Sequence, residues 1–498
     1  MNTISRQTMK GLLSLTIAMM AQTAFAQIGK PFIHDPSTMV ECDGKWYTYG
    51  TGRGGLYSED GWTWNSIPEI EGNTDTHKQV RPGGGAAPDA MKVGNRYLVA
   101  YSSTGGGLGG GHQGHVLTMW NKTLDPTSPD FEWSDPIEVA ASLDDEDCDA
   151  IDASILLDPT NGRMWITYGT YFGFIRIVEV DPKTGKRVEG NEPVDIAIDC
   201  EATDLIYKDG WYYLLGTHGT CCDGTNSTYN IVVGRSRNVT GPFLDNMGRD
   251  MKKGGGKMVM AAGNRKTGAG HFGRTVLENG VEKMSFHWEA DFDQGGRSVL
   301  AIHPLLWKNG WPVGGELFKE GTYEIESERR GYALELAVDF VRMNGGMRMF
   351  GFGRGNDAPV EPVKDQTLEE VIGTWAKGDI NVRIGDYMFR PHQKWTITAV
   401  KDAPGYLGGL YYKITIEGTN RALAATKDAE VITVPEFTGE ANQLWRIDQL
   451  TDGTYRIMPK EVPGHKEPLC LYSIADSTPT LAKFDFNSDN SKWNFRQR

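Results

Sequence analysis

Asp35, Asp152, Glu201 and His271 stand 9, 10, 9 and 9 residues ahead of Gly44, Gly162, Gly210 and Gly280, and each of these glycines opens a short strand-like run. Three carboxyls and an imidazole at matching places in a repeat can act together if the repeat brings them to one axis. The reaction that such a set suits is inverting glycoside hydrolysis. One ionised carboxylate activates water while one protonated carboxyl donates to the leaving oxygen. The two must sit about 6.5–9.5 Å apart to admit the water. A third acid beside the donor raises its pKa by like-charge repulsion. Singly, an acid before a strand is most often a turn or cap residue. The shared offset is what sets these apart, and Asp152 also lies inside the apolar run Asp149-Ala-Ile-Asp152-Ala-Ser-Ile-Leu-Leu157, where an unpaired charge is costly to bury.

The elements that must position them are the runs themselves. Gly44-Lys-Trp-Tyr-Thr-Tyr49, Gly94-Asn-Arg-Tyr-Leu-Val99, Gly162-Arg-Met-Trp-Ile-Thr167, Gly210-Trp-Tyr-Tyr-Leu-Leu215 and Gly280-Val-Glu-Lys-Met-Ser285 recur every 48 to 70 residues. Their period-2 alternation reads as sheet, and helical periods are missing between them, which excludes an α/β fold. Glycine-rich loops such as Arg81-Pro-Gly-Gly-Gly85 and Gly105–Gly111 join them. One hairpin used five times predicts an all-β, five-bladed β-propeller over residues 27–319, with its acids on a common axis. The blade at Gly94 is the exception, because no acid precedes it at the shared offset; Asp89 falls too close and reads as structural or substrate-proximal.

Residues 320–498 carry another repeat. His392-Gln-Lys-Trp395, Asn442-Gln-Leu-Trp445 and Asn490-Ser-Lys-Trp493 lie 50 and 48 residues apart, each preceded by Tyr-x-Ile and a leucine: Tyr323 with Leu334, Tyr412 with Leu423, Tyr455 with Leu469. Threefold strands ending in a buried Trp predict a β-trefoil, its first repeat swollen by an insert around 340–380. The tryptophans are core residues, so the repeat speaks for the fold and not for sugar binding.

A formal charge of −14 argues against nucleic acid or an anionic membrane surface as partner. Residues 1–26 read as a signal peptide: Arg6 and Lys10 precede an apolar stretch from Gly11 to Met20, and Ala24-Phe-Ala26 fits a cleavage site, which makes the protein exported, periplasmic or extracellular. No later run is apolar enough for a membrane helix. The six cysteines fit no zinc pattern, since Cys221 and Cys222 are adjacent; the expectation is buried small residues with at most one long-range disulfide. No oligomeric state is assigned.

The propeller segment resembles glycoside hydrolase family 43, the five-bladed enzymes that include arabinanases, α-L-arabinofuranosidases and β-xylosidases. The resemblance rests on His34-Asp-Pro-Ser37, Ala87-Pro-Asp89, Ala150-Ile-Asp-Ala-Ser154, Glu201-Ala-Thr-Asp204, Ser227-Thr-Tyr-Asn-Ile-Val-Val-Gly-Arg235, Gly268-Ala-Gly-His271, Gly295-Gly-Arg-Ser-Val-Leu300 and Ile302-His-Pro-Leu-Leu-Trp307. It implies Asp35 as general base, Asp152 as pKa modulator and Glu201 as general acid, with His34, Asp89, Phe174 and Arg297 near the substrate. It also implies a hydrated central cation, usually calcium, facing His271, and no organic cofactor. The trefoil segment resembles the ricin-type lectin domain. The Cys221-Cys-Asp-Gly224 run is closest to the arabinanase branch. Two departures bear on specificity: the family's Trp-Ala-Pro-Asp is Ala86-Ala-Pro-Asp89, and its Glu-Gly-Pro is Glu201-Ala-Thr203. Arabinan or arabinogalactan is the implied substrate. An exo-acting furanosidase or xylosidase on another glycan (a β-D-galactofuranosidase, for instance), a retaining fructan-cleaving propeller and a non-catalytic carbohydrate-binding protein are the competing readings.

Overall fold

The computed structural model describes residues 28–52, 54–68, 70, 85–104, 113–171, 173–263, 265–338 and 367–497. The leader read at 1–26, most of the two glycine-rich loops and the 340–366 part of the insert lie outside them. The chain divides after Leu317: the second unit holds Phe318–Ala403 and Leu410–Arg498, and Pro404–Gly409 belongs with the first.

The first unit is five sheets in chain order, antiparallel and winding outward from the innermost strand, except that Ile28–Gly29 adds in parallel to Thr63–Ile67 at the outer edge of the first. The innermost strands are Val40–Cys42, Gly85–Val93, Ser154–Leu157, Glu201–Lys208 and Lys266–Glu278. The repeated glycines prove to be hairpin turns that join the first strand of a blade to its second. In Asp43-Gly44, Asp209-Gly210 and Asn279-Gly280 both turn residues have positive φ (51° and 78°, 50° and 79°, 46° and 78°). Such two-residue turns suit the right-handed twist of the flanking strands, and Asp/Asn-Gly is the pair that reaches them at least cost.

Successive blades bury their faces against one another. Tyr47, Tyr97, Val99 and Met119 pack between blades one and two; Leu156, Ile177, Leu205 and Leu214 between three and four; Tyr213, Ile231, Phe272 and Phe286 between four and five. The ring closes where Leu56 and Trp64 of blade one meet Leu300 and Ile302 of blade five. There the Leu300 N–H donates to Pro31 O at 2.8 Å and Ser298 Oγ to Ile33 O at 2.7 Å, which fixes the segment carrying His34 and Asp35 to the last blade.

A buried cation ties the inner strands together. The Arg274 guanidinium pairs with Asp89, donates to Ala90 O at 2.9 Å and lies 3.8 Å from Asp204. Asp89, 1% exposed, also accepts from Thr38 N–H (3.1 Å) and Ile155 N–H (2.9 Å). It therefore bridges blades one, two, three and five. Its oxygens are spent on this network, which corrects the expectation that Asp89 faces substrate.

In the second unit Trp395, Trp445 and Trp493 are fully buried, and their indole N–H groups donate to Leu334 O, Leu423 O and Leu471 O at 2.7, 2.9 and 2.9 Å. The threefold β-trefoil is thereby confirmed, with one correction: the third leucine is Leu471, not Leu469. Tyr323, Tyr412 and Tyr455 ring Phe318 at 5.4, 5.4 and 5.9 Å. Among the described residues no helix is long and apolar enough to cross a membrane.

Removing one partner of a buried ion pair leaves the other charge uncompensated. Arg274→Met should therefore cost about 3–5 kcal/mol in urea denaturation of the first unit. A loss within experimental error would show that the network carries no stability.

Candidate active site

Each inner strand is either preceded or interrupted by a residue whose backbone turns into the left-handed region: Asp35 (φ 53°) and Asp152 (56°) before their strands, Ala87 (36°), Ala202 (47°) and His271 (56°) within theirs. Strand register slips just there, between Ala86 and Asp89, Glu201 and Asp204, and Gly270 and Gly273, as expected of β-bulges that re-aim a side chain. Three of the four residues picked out by spacing occupy these positions. Glu201 does not; it stands one residue earlier, beside Ala202. In the Gly94 blade the same position is held by Ala87, so that blade keeps the turn and offers no acid.

The turns bring the three acids and His271 together. Asp35 lies at the centre of an imidazole cluster. His34 Nδ1 donates to Asp35 Oδ2 at 2.8 Å and His34 Nε2 to Glu289 Oε1 at 2.8 Å, so both ring nitrogens carry protons. Burial opposes that charge, yet Asp35 and Glu289 together push the His34 pKa up to about 11. His287 takes the other state. Its Nδ1 accepts from the Asp35 N–H at 3.1 Å, and its Nε2 faces Glu289 Oε1 at 3.4 Å, the neutral tautomer that its complete burial favours. Thr51 Oγ1 donates to Asp35 Oδ2 at 2.5 Å while accepting the Ala87 N–H at 3.0 Å. Burial pushes the Asp35 carboxyl up, but the charge and hydrogen bond of the His34 cation hold it well below the usual carboxylate range. Asp35 is an anion at any working pH.

Asp152 and Glu201 behave in the opposite sense. Asp152, 8% exposed, accepts the Ala202 N–H at 3.2 Å, which fixes it beside the backbone of Glu201. Burial, then the charges of Glu201 and Asp35, raise it well above the ordinary aspartate value. Glu201 is raised as well: burial and the Asp35 charge outweigh hydrogen bonds from Tyr229 OH and from Thr170 Oγ1 (2.7 Å). Two buried carboxyls that repel each other make each other's ionisation harder. Glu201 is the half-buried, more accessible member.

His271 is 5% exposed, with Nδ1 3.7 Å from Asp35 Oδ1 and no hydrogen-bond partner for that nitrogen among the described residues. Burial lowers its pKa to about 4, so the imidazole is neutral. Arg297 is exposed, stacks on Phe32 at 3.5 Å and donates to Gln294 O; it makes no hydrogen bond to the acids. Phe174 is half-buried, with its N–H on Asp147 O, and the side chain of that turn that reaches an acid is Thr170.

Sequence spacing missed Glu289, His287, Tyr229, Thr170 and Thr51. The first two sit 255 and 252 residues from their partners on the second strand of blade five, at no repeat position. It also missed the disulfide. Cys221 and Cys222 are bonded to each other, not across a long range, and Cys42, Cys148, Cys200 and Cys470 are free and buried.

The sequence model of glycosyl hydrolases family 43 matches residues 28–312, and that of the ricin-type beta-trefoil lectin domain-like group matches residues 391–465. The chain is 33% identical over 303 residues to an extracellular exo-α-(1→5)-L-arabinofuranosidase of Cellvibrio japonicus, covering 56% of this chain and 85% of that one. It is 29% identical over 314 residues to an extracellular endo-α-(1→5)-L-arabinanase of Bacillus subtilis, covering 60% and 93%. An α-L-arabinanase of Cellvibrio cellulosa solved with arabinohexaose superposes with a TM-score of 0.53 at 28% identity, over 58% of this chain and 96% of that one.

A carboxyl that must stay protonated loses function as pH rises through its pKa. The Tyr229 hydroxyl favours the charged form of Glu201, so Tyr229→Phe should raise the Glu201 pKa. The alkaline limb of the pH–rate profile should then move to higher pH, and a shift to lower pH would contradict the placement.

Proposed function

The chain belongs to glycosyl hydrolases family 43, and from that premise we propose that this glycosidase hydrolyses α-L-arabinofuranosyl linkages of arabinan or arabinogalactan with inversion at the anomeric carbon. The observation that carries this reading is the split between the acids: Asp35 is held well below the ordinary carboxylate range while Asp152 and Glu201 are both raised above it. Asp35 is the general base. His34, held between Asp35 and Glu289, keeps it ionised and oriented toward the attacking water. Glu201, half-buried and steadied by Tyr229 and Thr170, is the general acid for the departing oxygen, its pKa raised by burial and the Asp35 charge, and Asp152 beside it serves as pKa modulator.

His34, Phe174 and Arg297 border the bound sugar on this reading. His271, neutral with an unpaired buried nitrogen, is suited to face one hydrated cation such as calcium. A hard ion held by one imidazole and waters would bind weakly, and its contribution would be positive charge near Asp35. The apolar leader, together with relatives named as extracellular, supports export. A purely carbohydrate-binding role gives no reason for an ionised and a protonated carboxyl side by side.

NMR of the first-formed sugar should show inverted configuration, and a retained anomer would exclude this mechanism. Glu201→Gln should abolish cleavage of natural linkages while sparing activated aryl glycosides, whose leaving groups need no proton. Near-normal hydrolysis of polysaccharide by that variant would remove Glu201 from the acid role. A product profile on linear arabinan, branched arabinan, arabinogalactan and galactofuranan identifies the sugar and separates end-wise from internal attack.

A further inference from the structure

The adjacent pair Cys221–Cys222 is the part of this neighbourhood to which the hydrolytic chemistry assigns no task. It lies within reach of the base: its sulfur atoms, a ring nitrogen of His34 and a carboxylate oxygen of Glu289 all fall within 4.8 Å of one another. Cys222 has φ 60°, a left-handed conformation that a non-glycine residue adopts only when its surroundings impose it. In that conformation the Cys222 N–H donates to Glu289 Oε1 at 3.3 Å. The same oxygen accepts from His34 Nε2, and the far side of that imidazole holds Asp35 Oδ2.

Glu289 has few other ways to be fixed. Its side chain is 3% exposed, and besides His34 Nε2 and the Cys222 N–H the donor near Oε1 is His287 Nε2 at 3.4 Å. A buried carboxylate depends on its donors both for its charge and for its orientation. A covalent bond between neighbouring residues leaves the intervening peptide almost no freedom, so the N–H that it aims stays aimed.

We propose that the Cys221–Cys222 disulfide is a positioning element for the water-activating carboxylate, acting through the Cys222 N–H, Glu289 and His34 on Asp35. The proposal rests on Asp35 as general base. The disulfide does not touch the reacting atoms; it keeps Glu289 in place, Glu289 keeps His34 in place, and His34 sets the direction of the carboxylate toward the water. A misplacement of about 1 Å at a reacting group can cost on the order of a hundredfold in rate. A loosened relay should therefore act on the chemical step and leave substrate affinity largely alone.

Two readouts separate this from a merely structural bond. The first needs no substrate: the low-field imidazole N–H resonances of His34, identified by their loss in His34→Gln, should shift or broaden in the Cys221→Ser/Cys222→Ser double variant. Unchanged resonances would overturn the proposal whatever the enzyme cleaves. The second is kinetic. The double variant should lose kcat about ten- to a hundredfold on 4-nitrophenyl α-L-arabinofuranoside and on arabinan alike, with KM moved less than about twofold. Azide, an anion that attacks without giving up a proton, should restore rate on the aryl substrate in the variant and not in the parent. Partial unfolding would not respond to azide, so a rate loss without rescue overturns the proposal. A loss confined to KM or to arabinan overturns it too, because it would make the disulfide a substrate contact. Inactivity of the parent on both substrates would count against the arabinofuranoside reading, and the resonances would still decide the role of the disulfide. If the double variant does not fold, the native protein treated with a water-soluble phosphine gives the same two readouts. The S–S bond then takes two electrons from the phosphine and two protons from water to become two thiols, counted by alkylation, and the phosphine takes the water's oxygen to become its oxide.

Discussion

The active centre depends on one backbone constraint, the left-handed turn that precedes or interrupts each inner strand. Such a turn costs a non-glycine residue about 1–3 kcal/mol, and the first unit carries it five times, at Asp35, Ala87, Asp152, Ala202 and His271. The cost is met by the inter-blade cores and by the Arg274–Asp89 network just below, which leave the inner strands no freedom to relax. In return, side chains that would otherwise alternate across a sheet are turned toward a shared axis. That two of the five positions hold alanine shows the turn to be a property of the architecture, adopted whether or not the blade contributes a functional group.

Electrostatics then divides residues that look alike in composition. All three acids are buried, and burial alone would push each of them up. Asp35 escapes because His34, held as a cation between two carboxylates, pairs with it. Asp152 and Glu201 have each other and Asp35 for neighbours, so burial and repulsion act together. The histidines are divided in the same way: His34 is charged because two acids claim its two nitrogens, whereas His271 and His287 are neutral because burial outweighs what reaches them.

Much of the architecture was legible in the chain, because turn chemistry and strand alternation are local. Asp-Gly and Asn-Gly turns mark the first hairpin of three blades, and tryptophans at near-constant spacing mark the trefoil. The acids were legible through the same repeat, although the matching offset of Glu201 conceals a one-residue difference that only the bulge at Ala202 reveals. Residue type does not encode a left-handed turn when the residue is alanine or histidine. Glu289 and His287 were invisible because their partners lie some 250 residues away and are met only when the ring closes. Asp89 was misplaced toward substrate for a related reason, since its cation, Arg274, comes from another blade. Adjacent cysteines gave no sign that they would bond to each other.

The central claim is a statement about protons: Asp35 has none, and the Asp152/Glu201 pair keeps one. Carbon-13 NMR of carboxyl-labelled Asp and Glu, with the three signals assigned by substitution, measures this in the unliganded protein. The account predicts an ionised Asp35 across the whole range in which the fold survives, and a proton retained between Asp152 and Glu201 at neutral pH. Three fully ionised carboxylates at neutral pH, or an Asp35 that titrates in the ordinary aspartate range, would contradict it.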